Sequence, residues 1–380
     1  MSVYIHDAVR TPRGKAKPDG GLASETPHGL VAHLVDALTE RGHDPRAADQ
    51  LTLGCVGQVG AQGGHVGMVA KLAAGLPDRT VVHTLNNFCA SGLSAIGLAA
   101  NAVTAGQARV ALAGGVEMMS RVPFMADRAD YYEATDFAPR LRYIPVGLAA
   151  DLLTEREGIT RAELDACAVM SQTRAALAEE TPSWIASRIA VGALSREEPV
   201  RPSSPHRLAA MPTAFDAWGQ QYAAALDGPT VHHHTVAHAP PIVDGAALAL
   251  LGDSAAGARA RILGFAEAGG DPRDSLTAGF AAMDQALSRS GVTLADLDRI
   301  EFMEAFAVVM AKFLRDYPVD PARVNVSGGH LAKGHPMGAT GAVLTSTLLD
   351  MLDACDGRLG LVVCTGAQGV GAAMVVERLA

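Results

Sequence analysis

Two turns of the chain carry a cysteine or a histidine in a setting that suits catalysis. The first, Leu85-Asn-Asn-Phe-Cys-Ala-Ser-Gly-Leu93, places Cys89 between an apolar strand and the start of a helix. Unpaired N–H groups and the positive end of the helix dipole favour a thiolate at such a place. The small residues after Cys89 leave room for a substrate. Cys89 is therefore either a nucleophile or a buried core residue, as many isolated cysteines are.

The second turn, Asn325-Val-Ser-Gly-Gly-His-Leu-Ala-Lys-Gly-His-Pro-Met-Gly-Ala-Thr-Gly341, is rich in glycine and contains His330 and His335. A neutral imidazole beside a cysteine can take its proton, but either histidine could instead only stabilise the turn. A third segment ends a buried strand at Cys364 and continues as a glycine-rich turn. Its N–H groups could bind an oxyanion, or Cys364 could be a packed thiol.

An internal repeat relates these turns to each other. Three pairs of short segments match, and one offset of 249 residues separates the members of every pair (49 to 298, 90 to 339, 109 to 358). Matches in one register predict two homologous halves. If an approximate two-fold axis relates the halves, the starts of two equivalent helices meet, and His335 lies beside Cys89.

Strands and helices alternate within each half, which predicts mostly parallel sheets covered by helices. The apolar patterns predict helices at Gly29–Arg41, Gly92–Ala105, Arg161–Glu180 and Ala278–Arg289, and strands at Leu51–Val56, Val81–Leu85, Val110–Ala113, Arg299–Phe302, Val324–Val326 and Leu359–Cys364. The stretch 120–239 breaks the pattern and is predicted to be an inserted loop domain over the two halves. The expected units are 1–119 with about 240–256, then 120–239, then 257–380.

The composition of the chain argues against several classes of function. The 380 residues carry a net charge of −9, which argues against a broad nucleic-acid or anionic membrane surface. We expect no membrane span, because no apolar run reaches about 18 residues, and a cytoplasmic location, because the N-terminus lacks the pattern of a signal peptide. The five cysteines are scattered without a CxxC pair, so neither a disulfide framework nor a zinc site is expected.

Two further groups of residues allow competing interpretations. The run His232-His-His234, with His238, suggests a metal site, but adjacent side chains alternate along a strand. We therefore favour a solvated or interface segment and expect no metal. Arg201, His206 and Arg207 could bind phosphate groups, or they could form an exposed basic loop.

The chain resembles the thiolase family over Val3 to Glu377. The resemblance is carried, in order, by Ala8-Val-Arg-Thr-Pro12, Asn86–Gly92, Ala113-Gly-Gly-Val-Glu-Met-Met-Ser120, Asp244-Gly-Ala246, Glu304-Ala-Phe-Ala307, Gly334-His-Pro-Met-Gly-Ala-Thr-Gly341 and the Cys364 loop. It implies an α/β fold of five layers (α/β/α/β/α) built from two homologous halves with an inserted loop domain. It also implies an acyltransferase of fatty acid metabolism that acts on acyl-CoA and CoA and needs no cofactor.

The resemblance also implies roles for individual residues. Cys89 matches the nucleophile that becomes acylated, His335 the histidine that activates it, and Cys364 the cysteine that moves a proton to or from the substrate. The N–H groups of Cys89 and Gly366 match an oxyanion hole. The implied reaction is a ping-pong acyl transfer that cleaves 3-ketoacyl-CoA or condenses acetyl-CoA.

The chain departs from the family pattern in several places. Met303 stands where relatives commonly carry asparagine, so the water of a second oxyanion hole loses a polar partner. Pro240 stands near a serine that often contacts CoA, and Val146-Gly147 replaces Met-Gly near the acyl pocket. The Cys364 loop is one residue longer than usual. The span from Glu117 to Gly147 is short, which predicts a homodimer.

These departures leave two alternatives to a thiolase reaction. One is an acyltransferase of specialised metabolism on the same fold, with impaired C–C cleavage. The other is a degenerate, non-catalytic subunit. Cys89, His335 and Cys364 weigh against the second alternative, and Met303 weighs for it.

Overall fold

The computed structural model describes residues 2–379, so Met1 and Ala380, the outer ends of the predicted units, lie outside it. Its strands are β1 Val3–Arg10, β2 Gly14–Lys15, β3 Gln50–Gly54, β4 Val81–Leu85, β5 Val110–Met118, β6 Val243–Gly252, β7 Ala260–Gly269, β8 Arg299–Phe302, β9 Leu359–Gly366 and β10 Val370–Arg378. Its helices are α1 Pro27–Glu40, α2 Val66–Ala73, α3 Ser91–Thr104, α4 Val146–Glu157, α5 Arg161–Glu179, α6 Pro205–Ala209, α7 Asp216–Gln221, α8 Ala278–Ser290, α9 Ala307–Asp316, α10 His330–Lys333 and α11 Thr340–Ala354.

The strands follow the order β4-β3-β5-β6-β1-β7-β10-β9-β8, and β2 pairs with β6. Only the β3–β4, β3–β5 and β8–β9 pairs of the described strands are parallel. The prediction of mostly parallel sheets is therefore wrong. One reason is the short turn Ala367–Gly369, which makes β9 and β10 an antiparallel hairpin where the sequence indicated only a glycine-rich loop.

The internal repeat is visible as one hydrogen bond made twice. The side chain of Asp49, just before β3, accepts a bond of 2.8 Å from the N–H of Arg109. The side chain of Asp298, just before β8, accepts one of 2.7 Å from the N–H of Arg358. The same offset of 249 residues relates both members of the two pairs. The β3–α3–β5 and β8–α11–β9 units are thus equivalent, which confirms the prediction of two homologous halves.

Five layers result from the way the helices cover the strands. Alternate residues of β5 face two different cores: Leu112 and Val116 pack in the core that contains α1, and Ala111 and Ala113 in the core that contains α3. Helices α3 and α11 pack on each other and on strands of both halves, whereas α8 covers the outer face of β7 and β10. The α/β/α/β/α layering predicted from the resemblance is confirmed.

The starts of α3 and α11 meet, as the repeat predicted. A β-carbon at Gly92 would lie 2.8 Å from the carbonyl oxygen of Gly338, and one at Gly341 would overlap the backbone of Leu93. Gly92 and Gly341 are equivalent in the repeat. Only glycine permits this approach of two backbones, so these residues bring the Cys89 turn and the His335 turn together.

The strand predicted over Val324–Val326 does not form. Only Val324 pairs with β8, through a bridge to Ile300. Asn325 has a φ of 44°, which ends the extended run. Its side chain takes the place of a strand partner, because it accepts a bond of 2.8 Å from the N–H of Phe302 and donates one of 2.8 Å to the Phe302 carbonyl.

The stretch 120–239, predicted to be an inserted loop domain, contacts the body through its longest helix, α5. This helix starts with a capping box between Thr160 and Glu163. The helix predicted from the sequence agrees with α5 to within one residue at both ends. Glu304, just after β8, accepts a bond of 2.6 Å from Ser171 of α5. Across residues 2–379, no helix is both long and apolar enough to cross a membrane.

Candidate active site

Cys89 lies in the tight turn between β4 and α3. Phe88 adopts a φ of 45°, and Ser91 closes the turn. The Ser91 hydroxyl accepts a bond of 2.8 Å from the N–H of Asn87 and donates one of 2.6 Å to the carbonyl of Phe88. The turn places Cys89 at the wall of a cavity, and only 7% of the residue is exposed to solvent.

The resting form of Cys89 is the neutral thiol. Burial raises its pKa to about 12, although the N–H groups of Ala367 and of Cys89 itself face the sulfur and act in the opposite direction. The buried carboxylate of Glu117 raises the pKa further. The expectation that the helix start would favour a thiolate is therefore outweighed by desolvation, and the sulfur needs a base.

His335 is placed to be that base. It lines the same cavity as Cys89, and its backbone N–H donates a bond of 2.9 Å to the carbonyl of Pro241. Its Nδ1 lies 2.6 Å from Oγ1 of Thr340, and its buried Nε2 has no hydrogen-bond partner. Burial, with the charge of Arg13, lowers the pKa of His335 to about 3, so the imidazole is neutral. When Nδ1 carries the proton, Nε2 is free to accept one.

His330, the alternative base, is in a different position. Its ring centre lies 5.5 Å from that of His335 at an interplanar angle of 87°. It is fully buried and is not part of the cavity wall. Both ring nitrogens lack hydrogen-bond partners, and burial lowers its pKa well below the usual value. The geometry therefore favours His335 over His330 as the group that meets a substrate.

Cys364 lies on β9 opposite Ala372 of β10 and is fully buried. Burial raises its pKa, and the nearby Cys89 adds to the effect. Unlike Cys89, it does not line the cavity, although Ala367, three residues later, does. Gly366 packs directly on the nucleophile candidate: a β-carbon there would lie 3.1 Å from Cβ of Cys89.

The cavity has a volume of about 190 Å³, and its wall is mostly apolar. Met303 is fully buried in this wall, and Pro240 and Val146 also line it. Gly147 lies behind the wall, since a β-carbon there would lie 2.9 Å from the ring of Phe215. The departures found in the sequence therefore cluster around the Cys89 cavity.

Glu117, at the end of β5, is a positioning residue to which the sequence analysis assigned no role. Its buried carboxylate accepts bonds of 2.9 Å from Val56 N–H, 3.0 Å from Gly57 N–H and 3.0 Å from Gly338 N–H. Burial raises its pKa, and these donors offset part of that effect. The carboxylate joins the loop after β3 to the loop that holds His335. In the sequence, this role could have been inferred from the presence of a charged residue at the end of an apolar strand.

The histidine run is not a solvated segment throughout. His234 and His238 are fully buried, which contradicts that expectation for both. His234 Nδ1 lies 2.8 Å from Asp151 Oδ1, and His238 Nε2 lies 2.7 Å from Asp165 Oδ1. These histidines thus pair with carboxylates of α4 and α5. Over residues 2–379, no group of three or more His, Cys, Asp or Glu side chains is arranged to hold a metal ion.

The basic residues considered for phosphate binding lie apart from the Cys89 cavity. Arg201, His206 and Arg207 are exposed, and none of them lines it. Arg201 and Arg207 instead border a small pocket beside Gln172 of α5.

Comparison with known proteins identifies the class of this fold and site. The family model described as the thiolase N-terminal domain matches residues 3–254, and the model of the thiolase C-terminal domain matches residues 256–378. The chain therefore belongs to the thiolase family.

Relatives and a solved structure agree over the full length. A beta-ketoadipyl-CoA thiolase of Pseudomonas knackmussii is 35% identical, with 99% of both chains covered. An acetyl-CoA acetyltransferase of Escherichia coli K12 is also 35% identical, over 99% of this chain and 98% of the relative. The crystal structure of the Bacillus anthracis acetyl-CoA acetyltransferase superposes with a TM-score of 0.83 and 28% identity, covering 100% and 99% of the two chains. The prediction of an acyltransferase enzyme is confirmed.

Proposed function

We propose that the chain is a thiolase that transfers acyl groups between coenzyme A thioesters by a ping-pong reaction through Cys89. The observation that carries the proposal is that a neutral thiol, Cys89, and a neutral imidazole, His335, line one cavity, where Nε2 of His335 has no hydrogen-bond partner. Such a pair produces a nucleophile when the proton moves from sulfur to nitrogen. CoA thioesters are the substrates, and no further cofactor takes part.

In the cleavage direction, His335 Nε2 takes the thiol proton, and the Cys89 sulfur attacks the 3-keto carbon of a 3-ketoacyl-CoA. The bond between C2 and C3 breaks, and its electron pair stays on C2 as the enolate of acetyl-CoA. Cys364 delivers a proton to C2. Free CoA then attacks the Cys89 thioester and gives its thiol proton to the Cys364 thiolate. The Cys89 sulfur leaves and takes its proton back from His335, so that acyl-CoA departs and both thiols are restored. Condensation runs through the same steps in reverse.

The oxyanion of the first step binds to the N–H groups of Cys89 and Gly366. The close packing of Gly366 on Cys89 supports this, and the N–H of Ala367, which faces the sulfur, is the competing donor. Removal of one such donor typically lowers kcat by about a hundredfold or more.

An assay of acetoacetyl-CoA thiolysis with three proteins tests this function. We expect the unaltered protein to cleave acetoacetyl-CoA and Cys89→Ser to lose the activity. We expect Cys364→Ala to lose cleavage while Cys89 can still be acetylated. Acetylation without cleavage in the unaltered protein would favour an acyltransferase of specialised metabolism. The observation that favours this alternative is the apolar side chain of Met303 in the cavity wall. Neither acetylation nor cleavage would favour a non-catalytic subunit.

We further propose that the protein works as a cytoplasmic homodimer. β4 is an edge strand, and exposed apolar side chains lie on it and on the adjoining α2, namely Met68, Val69, Leu72 and Val81. An apolar edge of this kind requires a covering partner.

All five cysteines are free thiols, as in a reducing compartment. The division into a first half, a loop domain at 120–239 and a second half from 257 remains a proposal.

A further inference from the structure

The charged residues that line the Cys89 cavity have one sign. Of the residues of 2–379 that line it, none is lysine or arginine, and the two carboxylates are Glu117 and Asp127. His335 adds no positive charge, because burial keeps it neutral. The absence of positive charge applies to the whole described lining of the cavity. It therefore does not depend on which part of the cavity binds the pantetheine arm and which part binds the acyl group.

The uncharged part of the wall is largely aromatic. The rings of Phe215 and Trp218 stack with centres 5.2 Å apart, and Phe306 meets Phe215 edge-on at 5.9 Å. On another side, the rings of Tyr132 and Tyr143 lie 4.6 Å apart. Apolar cavities of about 150 Å³ bind benzene without water, so a cavity of about 190 Å³ has room for a short chain or a single ring.

A longer acyl group would leave the cavity through an equally acidic surface. An adjoining outer cleft of about 950 Å³ shares Met125, Tyr132 and Trp218 with the cavity. Its charged wall residues are Arg128 and three carboxylates: Asp130, Glu133 and Asp136. The cleft therefore carries a net negative charge and repels an anion.

Arg142, which borders a neighbouring pocket, is held by backbone acceptors. Its guanidinium donates to the carbonyls of Phe137, Thr135 and Ala224 at 3.0, 2.6 and 2.7 Å. Three of its five N–H donors are thus taken, and the side chain lines neither the cavity nor the outer cleft.

We propose that the acyl group transferred by this enzyme is uncharged and apolar, with single aromatic rings accepted, and that acyl groups ending in a carboxylate are rejected. The proposal rests on the proposed thiolase function and concerns the same site. It separates this chain from relatives such as the beta-ketoadipyl-CoA thiolase, whose named substrate carries a terminal carboxylate. The physical reason is that a carboxylate placed in the cavity, whose described wall residues include no lysine or arginine, loses its hydration and faces the carboxylates of Glu117 and Asp127.

The test compares two substrates that differ only in their last carbon: 3-oxohexanoyl-CoA, which ends in a methyl group, and 3-oxoadipyl-CoA, which ends in a carboxylate. We expect kcat/KM for thiolysis to be about a hundredfold higher for the first, as is typical where a site lacks a partner for a polar group. We also expect 3-oxo-3-phenylpropanoyl-CoA to be cleaved. Equal or better cleavage of 3-oxoadipyl-CoA would overturn the proposal.

A charge reversal at the wall provides a second readout. Asp127 receives a bond of 2.8 Å from the hydroxyl of Tyr132, at the junction of cavity and outer cleft. Asp127→Lys should lower KM for 3-oxoadipyl-CoA and reduce the discrimination at least about tenfold. Asp19→Lys makes the same charge change at an exposed residue outside both cavities and should leave the ratio unaltered. Equal effects of the two variants would contradict the assignment.

Failure of the thiolase function itself would be recognised separately. In that case acetoacetyl-CoA is not cleaved and Cys89 is not acylated, whatever the acyl group. Calorimetry on the folded Cys89→Ala protein then compares hexanoyl-CoA with adipoyl-CoA. About hundredfold tighter binding of hexanoyl-CoA supports an apolar acyl site, and equal affinities refute it.

Discussion

Nδ1 of His335 lies 2.6 Å from Oγ1 of Thr340, while Nε2 of the same ring has no hydrogen-bond partner. Thr340 is the first residue of α11, the helix whose start meets the start of α3. The helix that brings the two halves together therefore also orients the imidazole towards the Cys89 cavity.

Replacing this hydroxyl tests its role in orienting the ring. Thr340→Val keeps the shape of the side chain but removes the partner of Nδ1, so we expect kcat for acetoacetyl-CoA thiolysis to fall about tenfold or more, with a smaller change in KM. Thr340→Ser keeps the hydroxyl and should restore most of kcat. If Thr340→Val and Thr340→Ser have the same kcat, the hydrogen bond has no role in orienting the base.

The pKa shifts at the site predict how alkylation of Cys89 depends on pH. Since its pKa is raised to about 12 and that of His335 is lowered to about 3, the pair is neutral between them. The thiolate is then a minor form whose fraction grows tenfold per pH unit up to the thiol pKa. Iodoacetamide alkylation of Cys89, followed by peptide mass spectrometry, should accelerate steadily from about pH 6 to about pH 10. A plateau below about pH 7 would indicate a thiolate–imidazolium pair instead.

Met303 is predicted to limit the C–C step. It is fully buried in the cavity wall and cannot hold a water as an amide would. Met303→Asn should raise kcat for thiolysis about tenfold, because a bound water would then donate to the enolate oxygen. Met303→Leu, which changes shape without adding a donor, is the matched control and should not raise kcat. An unchanged rate in Met303→Asn, with a retained melting temperature, would show that the apolar residue does not impair cleavage.

The apolar edge formed by α2 and β4 predicts the oligomeric state. Light scattering should give twice the protomer mass, and a tetramer would contradict the prediction. Leu72, on α2, is 66% exposed, so Leu72→Asp should shift the protein towards monomer. Leu177 on α5 is 54% exposed, and Leu177→Asp should leave the mass unchanged. Equal behaviour of the two variants would place the interface elsewhere.

Much of the fold follows from local sequence because local forces decide it. The helix stripes predicted α3, α5 and α8 to within one residue at each end, and β4 and β8 form with the predicted bounds. The failed strand at Val324–Val326 depends on a distant contact: Asn325 replaces backbone pairing with side-chain bonds to Phe302. The apolar pattern around Val324–Val326, from which the strand was predicted, gives no sign of these side-chain bonds to Phe302.

The site was only partly predictable for the same reason. The repeat offset predicted that two helix starts would meet, and glycine contacts bring them together. It could not show that desolvation at Cys89 outweighs the nearby N–H groups, because burial is a property of the whole assembly. Nor could it show that Glu117 joins two loops that are more than two hundred residues apart in sequence.

The central claim is that Cys89 becomes acylated with the help of His335. The most direct measurement is intact-protein and peptide mass spectrometry after brief mixing with acetyl-CoA, on the unaltered protein and on His335→Ala. We predict one acetyl group per chain, on the peptide that contains Cys89, and a strongly slowed reaction in the variant. Folded protein that remains unmodified, or that carries the acetyl group on another residue, would contradict the account.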